Sequence, residues 1–189
     1  MSRRWLGTLV SVVVTTLSVL TMSSLGLGVV LGLADDTEAL SCDRVPGTPA
    51  PFEGNRHIAY EGAPHAAYRT VPPTSGPHSP RVVTPGIYRE PVLEELQVHA
   101  LEHGHVLVQY APDVSPADVR ALERLGRRYP RDVVVAPYPA LDHGIGLSGW
   151  QRLQRLDTLD ERAVTEFVTK VAGRYDHSWQ HGATDCVRP

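Results

Sequence analysis

Apolar residues are distributed along this chain in three different ways, and each predicts a different kind of structure. From Trp5 to Ala34 the residues are apolar or small and uncharged, behind Met1-Ser2-Arg3-Arg4. A bilayer is crossed by about twenty apolar residues in a helix, whereas the apolar run of a secretory signal spans only ~7–15. The segment is therefore read as a retained membrane anchor over residues 1–34, with the arginines in the cytoplasm and the rest of the chain outside. Gly32-Leu33-Ala34 is a small-x-small pattern that keeps a cleaved signal open as the alternative. From Pro46 to Pro91 the chain holds ten of its sixteen prolines, which excludes long helices and predicts an extended wrapping arm or a spacer.

Beyond Pro91 the periodicity becomes regular. Val92, Leu93, Leu96, His99 and His103 recur at three- and four-residue steps, predicting a helix from Glu90 to His103 that Gly104 stops in the left-handed conformation. The run from His105 to Tyr110 reads as a buried strand. Ser115-Pro116 with Asp118 opens a second helix, lined by Val119, Leu122 and Leu125 and ended at Pro130. Asp132–Ala136 and Ile145–Trp150 read as strands, and Thr158-x-x-Glu161 opens a last helix with Val164, Phe167, Val168, Val171 and Tyr175 on its apolar face. Helix, strand, helix, strand, strand, helix is the order of an α+β sheet with helices packed on it, comparable to the later half of a thioredoxin-like fold. A short strand at Gly86-Ile87-Tyr88 would lead into it. Residues 35–70 then form an extracytoplasmic linker or arm, 71–175 the globular domain and 176–189 a C-terminal tail.

Charge narrows the function classes. All 21 acidic residues lie from Asp35 onward against 16 of the 18 basic ones, so this part carries about five net negative charges and no basic patch suited to nucleic acid. Nothing identifies a protein partner. Two cysteines, Cys42 and Cys186, stand at opposite ends of the part read as exported, where disulfides persist, and a structural bridge between them is expected. A Cys-x-x-Cys redox pair is lacking.

Candidate chemistry rests on histidine. Nine are present, none before His57. His99 and His103 are four apart on one helical face with Glu102 one row over, and the proline-rich Val71–His78 segment is suited to present His78. His78, His99, Glu102 and His103 are therefore the candidate ligands of a metal, with copper or zinc favoured because imidazole suits both. Two other readings stay open. In one, the histidines are hydrogen-bonded residues holding the arm to the core of an interaction or scaffold module. In the other, His99-x-x-Glu102-His103 has the spacing of an inverted zinc-peptidase motif, though no downstream carboxylate ligand stands out beyond Glu161 and Glu166. The balance favours binding over catalysis. His177 and His181 form a second four-residue pair near the tail, while His57, His65 and His143 carry no usable pattern.

Several motifs resemble, in order, the bacterial family known as domain of unknown function 3105. They are Pro72-Pro73-Thr74-Ser75-Gly76-Pro77-His78, Gly86-Ile87-Tyr88, Val98-His99-Ala100-Leu101-Glu102-His103-Gly104, Val135-Ala136-Pro137-Tyr138 and Leu147-Ser148-Gly149-Trp150. The resemblance covers Val71 to Val171 and implies an exported or membrane-anchored protein, with no activity attached. The chain departs from the family pattern at His105, where a small or apolar residue is common, and at Gly149, where alanine is usual.

Overall fold

The computed structural model describes residues 45–174. Six strands form one mixed sheet in the order β1-β6-β5-β3-β4-β2: β1 (Thr48–Pro49), β2 (Gly86–Ile87), β3 (Val106–Tyr110), β4 (Val133–Pro137), β5 (Ile145–Gly149) and β6 (Arg152–Leu156). Three helices accompany it, α1 (Glu94–Glu102), α2 (Pro116–Arg128) and α3 (Glu161–Val171). The α+β architecture matches the periodicity. β3 and β4 pair in parallel, and β5 runs antiparallel to β3 at the centre of the sheet. Both central strands, Val-Leu-Val-Gln-Tyr and Val-Val-Val-Ala-Pro, are buried on both faces, which is why they read as continuous apolar runs rather than alternating ones.

Neighbouring side chains identify what covers each face. Gly126 of α2 lies against Val135, and Gly149 of β5 lies against Val171 of α3, so α2 and α3 share one face and also touch each other. On the opposite face Gln109 of β3 bonds Gln97 of α1 and Ser148 of β5, and Gly146 lies against Pro72. The site is built on this second face, where α1 is held between the sheet and the proline-rich arm.

Local signals account for the helix ends. Ser115 accepts from the Asp118 N–H, as its capping pattern predicts. The last helix is capped by Asp160, whose carboxylate accepts from the Arg162 and Ala163 N–H groups, rather than by Thr158. Helix α1 begins at Glu94 instead of Glu90, because Pro91 disfavours helical geometry at the residue before it. It ends as expected: Gly104 has φ +83°, its N–H reaches the Leu101 carbonyl, and the His105 N–H reaches that of Ala100, the paired bonds of a Schellman stop.

Residues 45–70 are packed rather than free. Val45, Ala50, Ile58 and Ala63 are buried, and β1 adds to the sheet edge beside β6. The Arg152 guanidinium donates to the carbonyls of Val45, Pro46 and Gly47, gathering three backbone acceptors that burial would otherwise leave costly.

Two expectations from the termini stand differently. The membrane helix over residues 5–34 is corrected: among the described residues no helix is long and apolar enough to cross a membrane, and no attachment through an N-terminal helix is supported. The described helices reach 13 residues at most and carry charged faces, short of the roughly twenty apolar residues a crossing needs. Residues 5–34 themselves, like Cys42 and Cys186, lie outside the described residues.

Candidate metal centre

The site begins with two extended stretches that pair with each other. The Gly76 N–H donates to the Gly54 carbonyl at 2.9 Å, the His78 N–H to that of Arg56 at 3.1 Å, and the Ile58 N–H to that of His78 at 2.8 Å. His57 and His78 thereby become partners in an isolated parallel bridge. Side chains at such paired positions leave the backbone on the same side, and the two imidazole rings lie 4.9 Å apart between centroids. Ser75 reinforces the pairing by accepting from the Glu53 N–H and donating to the Pro51 carbonyl.

Gly76 is required for this path. Its φ is +126°, a region that residues with a Cβ rarely adopt, and an added Cβ would stand 2.9 Å from the Tyr68 ring. The Gln151 N–H donates to the Thr74 carbonyl, fastening the segment to the turn between β5 and β6. The reading of Val71–His78 as a rigid presenting loop thus has a physical basis in this ladder.

Helix α1 supplies the other half. His99 and Glu102, three apart, both reach the arm. The ligating atoms of His57, His78, His99 and Glu102 all lie within 4.8 Å of one another. His78 is fully buried, and His99 and Glu102 are each 6% exposed; His57 is exposed. His78 Nδ1 is 2.8 Å from the Gly76 carbonyl, which can only accept, so this nitrogen carries the proton. In the neutral ring the lone pair then sits on Nε2, which faces a Glu102 carboxylate oxygen at 3.0 Å. Burial, above the smaller effects of its neighbours, holds the His78 imidazole below its ordinary pKa, which disfavours the imidazolium. The edge of Trp150 closes over the ring at 6.3 Å.

His103 is placed differently from the other candidates. Its Nε2 lies 2.9 Å from His99 Nε2, and it stands at the exposed C-cap, outside the group of ligating atoms. His99 Nδ1 is buried with no hydrogen-bond partner among the described residues. If the His99 Nε2–H donates to His103, the buried Nδ1 presents a lone pair, which is the orientation a neighbouring acceptor imposes on a ligating histidine. Of the zinc-peptidase spacing, only His99 and Glu102 enter the group, with Glu102 among the ligating atoms rather than set apart to activate water.

Sequence reasoning passed over His57, which has no local spacing to mark it and is set by the backbone ladder alone. Other histidines lie elsewhere. His143 pairs with Asp142 and Asp157 on the surface. His65 is 3.7 Å from Glu95. His105 is half-buried beyond the stop of α1, its pKa lowered by burial and then by His103. His177 and His181 lie outside the described residues.

The sequence profile of the family described as Protein of unknown function (DUF3105) matches residues 61–185. This span takes in His78, His99, Glu102 and His103 and begins after His57. No curated protein and no solved structure matches the chain.

Proposed function

The chain belongs to the family of proteins of unknown function DUF3105, and we propose that it binds a first-row transition metal, copper or zinc, through His57, His78, His99 and Glu102. The observation that carries this reading is the confrontation of His78 Nε2 with Glu102 inside a group that also includes His99, whose Nδ1 is buried with no hydrogen-bond partner among the described residues. With the ring neutral these are two buried acceptors at 3.0 Å, which repel unless a proton or a cation lies between them. A divalent ion resolves this and takes up the orphaned nitrogen as well.

Donor chemistry fits. Zinc takes nitrogen ligands at about 2.0–2.1 Å and carboxylate oxygens at similar range, in tetrahedral sets of four, which places ligand atoms roughly 3.3 Å apart. The four ligand atoms, all within 4.8 Å of one another, are near that spacing. Three neutral imidazoles and one carboxylate also suit copper, the tightest-binding divalent ion of the first row.

Titration of purified, tag-free protein with zinc and copper, followed by calorimetry and elemental analysis, tests the assignment. The expected result is one ion per chain, with binding abolished in His78→Ala and His99→Ala and retained in His143→Ala. Affinity is expected to fall as pH drops through about 6.5, where imidazole ligands take up protons. Binding that survives His78→Ala and His99→Ala together would move the site away from α1. Absence of binding in the unaltered protein would leave the histidines a structural network joining arm and helix.

A further inference from the structure

The four ligands are unequal, and the inequality bears on how an ion arrives and leaves. His78, His99 and Glu102 are buried, and the two histidines are held by further contacts: His78 by the Gly76 carbonyl and His99 by His103. His57 is exposed and comes from the other strand of the ladder. Its imidazole touches the rings of His78 and His99 and makes no hydrogen bond among the described residues. Three donors are thus buried in the protein, and one stands at the solvent boundary with ring contacts but no hydrogen bond of its imidazole among the described residues.

From this asymmetry, and resting on the metal reading above, we infer that the centre is an exchange site, with His57 as the ligand displaced when the ion is handed to an acceptor carrying its own imidazole or thiolate donors. In the step, a donor atom of the acceptor forms a bond to the ion as the bond from the His57 nitrogen breaks. The nitrogen recovers its lone pair, the ion keeps its charge, and no oxidant or reductant takes part. His78, His99 and Glu102 hold the ion until further donors replace them. Nearby, Phe52 is 55% exposed and packs its edge on Trp150, giving the boundary an apolar margin against which an acceptor can approach.

The test is transfer of zinc from the loaded protein to the chromophoric chelator 4-(2-pyridylazo)resorcinol in stopped flow. Exchange by displacement makes the transfer rate rise linearly with chelator concentration. In His57→Ala, which leaves that coordination position to water, transfer should be faster by about ten-fold or more, the factor that accompanies each 1.4 kcal/mol removed from a barrier. His57→Gln, which keeps a polar side chain in the ladder, should behave likewise and guards against a folding defect. A wild-type rate independent of chelator concentration would overturn the inference and leave the metal assignment standing, whereas unchanged rates in both variants would overturn the inference and remove His57 from the ligand set while leaving the other three. Failure of the unaltered protein to load zinc or copper at all would remove the assignment and the inference together.

Discussion

His78 Nε2 and a Glu102 carboxylate oxygen meet at 3.0 Å, while the other ring nitrogen of His78 gives its proton to the Gly76 carbonyl. Arm and helix are therefore joined across a contact that is incomplete without a proton or a cation. Glu102→Gln separates these two possibilities. Its amide can donate to His78 Nε2 and complete a neutral hydrogen bond worth about 0.5–1.5 kcal/mol. The metal-free variant is expected to be at least as stable as the parent by chemical denaturation, while its affinity for zinc falls. A large loss of stability would instead identify the pair as an imidazolium–carboxylate bridge.

Acid should weaken the metal-free fold through the same residue. Burial lowers the His78 pKa in the folded protein, with the Gly76 carbonyl and then Glu102 opposing that shift and His99 and His57 adding to it; the unfolded chain titrates near 6.5. Between the lowered value and about 6.5 the unfolded state binds more protons, so the stability present above about 6.5 is lost as pH falls through this window. His105, lowered mainly by burial, contributes with the same sign. Melting temperature of the apoprotein is expected to be flat above neutrality and to decline below about pH 6.5. His78→Asn should remove part of that slope, and a variant that keeps the full slope would exclude His78 as its source.

Gly149 is predicted to be coupled to Val171. A Cβ at position 149 would stand 2.4 Å from Val171 Cγ1, so the glycine there is what lets α3 seat its valine on β5. Gly149→Ala should cost about 1–3 kcal/mol as overpacking. Combined with Val171→Ala it should cost less than the sum of the two single changes, with a coupling of roughly 0.5–3 kcal/mol in a denaturation cycle. Additive behaviour would show that the strand shifts to accommodate the methyl group.

The sequence by itself determined the elements whose causes are local: the stop of α1 at Gly104, the cap of α2 at Ser115, and the buried runs of β3, β4 and β5. It did not reveal β6, since Arg152-Leu153-Gln154-Arg155-Leu156 has no apolar run and becomes a strand by pairing with β5. β1 was likewise hidden among prolines, because what holds it is β6 and the grip of Arg152 on the carbonyls before it. The candidate site divides in the same way. His78, His99 and Glu102 could be proposed from a rigid loop and a helical face, whereas His57 was silent, being placed by main-chain bonds to a distant stretch. His99 and His103 looked equivalent by spacing, yet the helix ends at Glu102, and it is the residue three along that joins His99 in facing the arm. Periodicity records which way a side chain leaves its own element; which side chains meet is decided by how the elements pair and pack.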